Sequence, residues 1–202
     1  MYTPNNYTFN NHDEMITFMK RYSFATIVTN INSKPVATQL PFVITENGEK
    51  LVLSSHFARA NEQAWYIMEQ TSLVIFSEPH AYISPRHYDK KESVPTWDYL
   101  AVHAYGSARI IEEEEGKMQL LEQMIGFYEP GYQEQWNSLT NKFKSGMLKG
   151  IVAFEIEVTE LQGQKKLSQN KTIEERQRII AQLQQSDQGV ERDIAGYINE
   201  LG

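Results

Sequence analysis

The chain has 202 residues, no cysteine and a formal net charge of −7. This length is that of one domain, or of one domain with an appendage, and it is enough to bury a core. Without cysteine the chain can hold no disulfide, thiolate nucleophile or cysteine-ligated metal. The negative charge opposes docking on nucleic acids or anionic membranes, and no stretch approaches the roughly 20 apolar residues that span a bilayer. We expect a cytoplasmic protein.

One helical pattern and then three strand patterns occupy the first quarter of the chain. Asn11 and Glu14 have the spacing of a capping box, and the apolar stripe behind them predicts a helix that ends near Tyr22. Three strands are then predicted, which we expect to form an antiparallel meander: FATIVTN, PVATQLPFVI and KLVLSSHF. Pro41 predicts an edge, bulge or break in the second strand, and the Asn-Gly pair at 47–48 predicts the hairpin before the third.

A transition from strand to helix follows at SHFARAN. Asn61 is placed to cap a helix that carries Ala64, Trp65 and Met68. A cation at Arg59 beside free amides at a helix start is the combination that binds phosphate, although a solvated arginine has the same pattern. SLVIFSE then predicts a short buried strand.

The segment VPTWDYLAVHAYG follows a long predicted loop rich in histidine, tyrosine and lysine. We predict a strand that runs on to about Ile111. Alternate side chains of a strand share a face, so Trp97, Tyr99, His103 and Tyr105 lie on one side. Such a face can belong to the core, or it can be the wall of a pocket for a planar ligand with polar edges. Periodicity alone leaves both interpretations open.

The second half of the chain continues the mixed pattern. Helices are predicted after the acidic run 112–115 and around Trp136, and GIVAFEIEVTEL is the clearest strand. The pair at 162–163, Gln-Gly, predicts a turn. Two helices close the chain, the first with a capping box at Thr172 and Glu175. Antiparallel strands with inserted helices predict an α+β fold or a β-barrel with helical decorations, and they exclude a doubly wound sheet.

Polar residues cluster at KKLSQN, between a predicted strand and a predicted helix. Lys165 and Lys166 provide charge, while Ser168, Gln169 and Asn170 provide hydrogen-bond donors and acceptors. The cluster is placed to reach over a pocket, and it can equally be a solvated loop.

Motifs for several chemistries are absent from the sequence. The five histidines show no metal-ligand spacing, so no metal site is predicted. There is no nucleophile elbow, P-loop, dinucleotide fingerprint or helix-turn-helix. No residue stands out as catalytic, and His103 is the best candidate for an acid or base.

Several segments together resemble one family. They are HFARAN (56–61), PHAYISP (79–85), VPTWDYLAVHAYG (94–106), GMLKGIVAFEIEVTELQG (146–163) and KLSQN (166–170), with MYTPNNY at the start of the chain. On these segments the chain resembles the PaiB family of FMN-binding split-barrel proteins, described as negative transcriptional regulators. The resemblance covers nearly the whole chain.

The resemblance implies a mostly β, α+β fold: an FMN-binding split β-barrel with inserted and C-terminal helices, related to pyridoxamine phosphate oxidase and flavin reductases. Residues 1–163 would form the FMN-binding domain, and residues 164–202 a C-terminal helical extension packed on the barrel. The resemblance also implies a homodimer with FMN in the groove between subunits.

Carried over residue by residue, the resemblance implies a set of FMN-binding residues. Arg59 and Asn61 would hold the phosphate with help from Lys166. The residues expected to run along the isoalloxazine are Thr38, Gln39 and Leu40. The residues expected to wall and close the site are Trp97, Tyr99, His103, Ser168, Gln169 and Asn170.

Two positions depart from the family pattern. Asp98 stands where the family usually has asparagine, and a carboxylate only accepts hydrogen bonds whereas an amide also donates. Lys165 stands where an aromatic residue is expected. If position 98 touches the flavin or a dimer partner, the substitution changes that contact.

The function that the resemblance implies is a flavin-binding regulator or sensor. The alternative is an FMN-dependent oxidoreductase, such as a flavin reductase or an enzyme like pyridoxamine phosphate oxidase, in which the flavin does the chemistry. A haem-binding relative of the same barrel is a further alternative. Direct DNA binding is opposed by the negative charge and the missing reading helix.

Overall fold

A computed structural model describes residues 1–48 and 50–202 of the chain. Within them lie two compact units, each made from separate stretches of sequence. The first unit contains Met1–Met15, Ser77–His103 and Gln162–Gly202, and the second contains Ile16–Phe76 and Ala104–Leu161. The predicted division of the chain after residue 163 stays a prediction.

Antiparallel strands and helices are mixed along the described chain, which confirms the predicted α+β class. The strands are β1 (Phe24–Ile31), β2 (Lys34–Pro41), β3 (Val43–Asn47), β4 (Lys50–Ala58), β5 (Thr71–Phe76), β6 (His80–Ile83), β7 (Thr96–Ile111) and β8 (Ile151–Lys166). The α-helices are α1 (His12–Arg21), α2 (Gln63–Tyr66), α3 (Glu114–Tyr128), α4 (Gln133–Ser138), α5 (Asn141–Leu148), α6 (Ile173–Leu183) and α7 (Gly189–Asn199). None of these described helices combines the length and apolar character needed to cross a bilayer.

The strand order of the sheet is β2-β1-β5-β7-β8-β4-β3, and β6 pairs with β7 off this path. The predicted break at Pro41 is confirmed, and so are the two antiparallel pairings of the predicted meander, β1 with β2 and β3 with β4. The break divides the predicted middle strand, so that β2 and β3 lie at opposite ends of this order. The chain leaves β2 at the fully buried Phe42, whose N–H donates to the carbonyl of Ser23 at 2.9 Å. The predicted hairpin between β3 and β4 is confirmed, with Gly48 at a φ of +64° that glycine adopts freely.

Aromatic rings fill the centre of the second unit. Phe154 of β8 stacks on Phe57 of β4 with ring centroids 4.8 Å apart, and it meets the edge of Phe42 at 6.3 Å. Phe76 contacts Phe42 in turn at 6.1 Å, and all four rings are fully buried. The strand predicted at GIVAFEIEVTEL, in which apolar residues alternate with Glu155 and Glu157, is therefore confirmed and contributes to the core.

The helix predicted after Asn61 is only one turn long, so the prediction that it carries Met68 is wrong. Trp65 and Met68 are exposed, whereas Gln63 and Ile67 are fully buried. A helix of one turn has no continuous face, because it is too short to contain two residues at positions i and i+4.

The first unit contains β6, which lies in the segment predicted as a long loop. β6 pairs with the first residues of β7, so that His80 faces Tyr99 and Tyr82 faces Trp97 across the ladder. The predicted capping box at the start of α6 is confirmed in both directions.

The predicted turn at 162–163 is wrong, because β8 continues to Lys166. Gly163 is there for a different reason: an added Cβ would lie 2.4 Å from the carbonyl oxygen of Phe9. The N–H of Phe9 donates to the carbonyl of Gly163 at 3.2 Å. The glycine thus allows the N-terminal segment to approach the strand closely.

Candidate functional site

In the second unit, two predicted site residues are joined by a buried glutamine. The Thr38 hydroxyl donates to Gln63 Oε1 at 2.7 Å and accepts from Asn61 Nδ2 at 3.0 Å. Asn61 Oδ1 accepts from the backbone N–H of Gln63 at 3.0 Å. Gln63 Nε2 also donates to the carbonyls of Ile27 and Val36, both at 3.3 Å. Gln63 is missing from the predicted site because a lone glutamine belongs to no motif that a single sequence reveals.

Replacement of Gln63 by leucine should destabilise the protein, because the Thr38 hydroxyl and the carbonyls of Ile27 and Val36 lose the side chain that they bond. We expect the free energy of unfolding to fall by about 1–3 kcal/mol. Urea unfolding followed by circular dichroism measures this. The matched control is Gln39→Leu at an exposed position, which should change stability by less than about 0.5 kcal/mol. Equal midpoints for the two variants would contradict the assigned network.

The three residues predicted to run along the isoalloxazine do not share one face of β2. Thr38 is half-buried and Leu40 is buried, while Gln39 between them is exposed. Alternation along a strand places Gln39 on the opposite side. A ligand that lies along one face of this stretch would therefore contact either the side chains of Thr38 and Leu40 or that of Gln39, together with backbone groups of the strand.

Arg59 is exposed and binds backbone groups of the second unit. Its Nε donates to the carbonyl of Lys149 at 2.6 Å, and an Nη donates to the carbonyl of Ile151 at 3.1 Å. Its own N–H donates to the carbonyl of Gly150 at 2.8 Å. The guanidinium is thus fixed at the junction of α5 and β8, with further N–H donors that have no partner among the residues the structure describes.

In the first unit, the aromatic side of β7 is the more exposed one. Asp98 and Leu100 are fully buried, whereas Trp97 is 53% exposed and Tyr99 and His103 are half-buried. The core interpretation of this face is therefore wrong for Trp97, and the face is open enough to line a pocket. The Trp97 ring lies 5.9 Å from the ring of Tyr82 and 5.9 Å from that of His80, which extends the aromatic surface onto β6.

Burial changes the acid–base chemistry of this face. It lowers the pKa of His103, and the positive N-terminus lowers it further. It raises the pKa of Tyr99. At neutral pH both side chains are uncharged, so His103 can accept a proton and Tyr99 can donate a hydrogen bond.

The KLSQN segment is bound to β7 through Lys166 and Ser168. Lys166 Nζ donates to the carbonyl of Trp97 at 2.7 Å and to the hydroxyl of Thr96. The Ser168 hydroxyl donates to Asp98 Oδ2 at 2.6 Å. Three predicted site residues, Trp97, Lys166 and Ser168, are thereby brought together in the first unit.

The remaining residues of this segment form a self-bound turn. Gln169 Oε1 accepts from the N–H of Leu167 at 2.7 Å, and Gln169 Nε2 donates to the carbonyl of Lys165 at 2.5 Å. Asn170 is exposed at the end of the turn. The turn is thus held by Gln169, while Asn170 is open to a ligand or to solvent.

Asp98, the departure noted in the sequence, contacts the KLSQN segment directly. Its side chain is completely buried, and burial raises the pKa of the carboxyl from 3.8 to about 6. The Ser168 hydrogen bond and the charges of Lys166 and Lys171 oppose this rise. Within residues 1–48 and 50–202, Asp98 Oδ1 has no hydrogen-bond partner. Position 98 therefore acts on a predicted site segment through Ser168.

The sequence and the fold were compared with those of known proteins. Residues 1–160 match the family described as "Putative FMN-binding domain". Over 204 residues the chain is 37% identical to "Protease synthase and sporulation protein PAI 2" of Bacillus subtilis (strain 168), covering 99% of this chain and 97% of that protein.

Two solved structures share the fold. The FAD and heme binding protein from Mycobacterium smegmatis matches with a TM-score of 0.62 and 14% identity, over 79% of this chain and 73% of that one. The flavocytochrome Anf3 from Azotobacter vinelandii matches with a TM-score of 0.58 and 15% identity, over 76% of this chain and 66% of that one. The predicted split-barrel class is thereby confirmed. The chain belongs to the PaiB-like family of proteins with an FMN-binding domain.

Proposed function

We propose that this chain is an FMN-binding homodimer that acts as a PaiB-type negative regulator or flavin-linked sensor. The observation that carries the proposal is the cluster of Trp97, Lys166 and Ser168 in a chain of this family. A cytoplasmic location and a site between two copies of the chain are part of the proposal. Direct contact with DNA is not, because a net charge of −7 opposes it.

The donor set of the described residues fits FMN chemically. A flavin phosphate needs cations and hydrogen-bond donors, which Arg59 and Lys166 offer from fixed positions. A flat isoalloxazine needs an aromatic or apolar wall with polar atoms at its edge, which the exposed Trp97 and the polar Asn170 offer. FMN would supply redox chemistry when bound, while these residues bind and orient it.

Titration of the purified chain with FMN and with riboflavin tests the proposal, because riboflavin lacks only the phosphate. We expect flavin fluorescence to be quenched on binding, and Arg59→Gln and Lys166→Gln each to weaken FMN binding by about tenfold to a hundredfold. Riboflavin affinity should change little. Lys50→Gln is the matched control, since Lys50 is exposed and pairs with Glu157 at the surface.

Several outcomes would count against the proposal. A chain that stays colourless and leaves FMN fluorescence unchanged would overturn flavin binding. Equal losses for FMN and riboflavin in both variants would overturn the assignment of Arg59 and Lys166 to the phosphate. A mass in solution equal to that of one 23.4 kDa chain would overturn the homodimer.

An FMN-dependent oxidoreductase is the second candidate, and the half-buried His103 is the observation that favours it. An imidazole that is neutral at pH 7 can take a proton from a substrate beside the flavin. Addition of NADH or NADPH to the flavin-loaded protein should then bleach the visible flavin absorbance with turnover. Unchanged absorbance across both donors would argue for the sensor instead.

A further inference from the structure

The hydrogen bond between Ser168 and Asp98 joins the turn that follows β8 to the buried side of β7. Asp98 is on the buried side of β7, next to the exposed Trp97. Its carboxyl meets Ser168 at the point where the chain leaves β8. One carboxyl oxygen is bonded and the other has no partner within the described part of the chain. A buried carboxyl with half of its hydrogen-bonding capacity unmet costs free energy when it is ionised.

The turn formed by Leu167–Asn170 requires an unfavourable backbone conformation at Ser168. Ser168 has a φ of +56°, in the left-handed region that residues with a Cβ rarely adopt. Leu167 and Ser168 are both buried, and the N–H of Lys171 donates to the carbonyl of Ser168 at 3.0 Å. Such a conformation persists only where the surrounding contacts fix it, and the Asp98 carboxyl provides one of these contacts.

Charged and titratable groups surround the carboxyl from several elements. Lys166 at the end of β8 and Lys171 before α6 both act on Asp98 electrostatically. Tyr88, which follows β6, also interacts with Asp98, and burial raises the pKa of its hydroxyl so that it stays neutral. Lys171 Nζ lies 3.6 Å from the Tyr88 ring centroid. The Glu175 carboxylate of α6 accepts a hydrogen bond from the N–H of Asp89. Asp98 is thus the group of this cluster whose charge changes near neutral pH.

We infer that Asp98 is the positioning residue of the Leu167–Asn170 turn, and that closing of this turn takes up a proton at Asp98. When the turn opens, water reaches the carboxyl, whose pKa then returns to its ordinary 3.8. In the closed turn the pKa is about 6. Because the closed state has the higher pKa, protonation favours closure, and this contribution is lost as the pH rises through 6. The inference goes beyond flavin binding and does not require it.

Hydrogen exchange on the full-length protein tests the inference. The reporters are the amides of Leu167 and Lys171, which are both bonded within the turn. After correction for intrinsic exchange rates, their protection factors should be about tenfold lower at pH 7 than at pH 5. Asp98→Asn should abolish this dependence, since an amide does not titrate. Glu157→Gln, which removes an exposed carboxyl, should keep it.

A second measurement needs no variant. The side-chain carboxyl of Asp98 should titrate near pH 6 when followed by ¹³C NMR in the unmodified protein. A midpoint near 3.8, a protection factor that does not change with pH, or the same pH dependence in Asp98→Asn would each overturn the inference.

Discussion

Phe154→Ala is expected to lower the free energy of unfolding by about 3–5 kcal/mol, which is a large part of the stability of a typical domain. The Phe154 ring is fully buried between Phe57 and Phe42. Its removal loses the transfer free energy of the ring and leaves a cavity that rigid neighbours on β4 fill only partly. Urea unfolding with a fixed m-value measures the change.

The matched control is Phe143→Ala in α5 of the same unit, where the ring is 52% exposed. This variant should lose less than about 1 kcal/mol, because little apolar area leaves water there. Similar losses for the two variants would mean that Phe154 is not at the centre of the core.

Gly106→Ala is the second variant with a large expected effect. A Cβ at position 106 of β7 would lie 2.2 Å from the carbonyl oxygen of Glu157 and 2.6 Å from a methyl carbon of Ile156. The nearest atom is backbone, so the two strands must move apart. We expect a loss of about 3 kcal/mol in the free energy of unfolding, or failure to accumulate as folded protein. Thermal unfolding by calorimetry measures it.

Gly126→Ala in α3 is the control for this substitution. Apart from its chain neighbours and the nearby backbone of its own helix, no described heavy atom lies within 4 Å of a Cβ placed there, and the glycine is inside the helix. Alanine should stabilise the protein by about 0.5–1 kcal/mol through helix propensity. Destabilisation of both variants by similar amounts would show that close strand approach is not what requires Gly106.

Local patterns predict those elements whose stability comes from nearby residues. The alternation in β8 and the capping box at Thr172 are complete within a few positions, so each is visible in the sequence. The separation of β2 from β3 depends on which strands pair across the sheet, and no local pattern records this. The Gln-Gly pair at 162–163 resembles a turn because its true constraint, the backbone of Phe9, is far away in sequence.

In the candidate site, too, some features can be predicted from the sequence and others depend on the fold. Its residue types follow from the family resemblance, which the comparisons support, and their roles toward FMN stay predictions. Gln63 and the link between Asp98 and Ser168 depend on burial, which a single sequence does not report for a lone polar residue. The departure at position 98 is visible in the sequence, but its contact with Ser168 requires the fold.

The interleaved composition of the two units has a practical consequence for work with gene fragments. Each unit takes residues from well-separated stretches, and β7 and β8 each contribute to both units. A truncation after residue 161 would therefore deprive the first unit of its last stretch, Gln162–Gly202, and a fragment with that stretch alone would lack Ser77–His103. Neither half of such a split gene should yield a folded product, whereas co-expression of complementary fragments gives both units all of their residues.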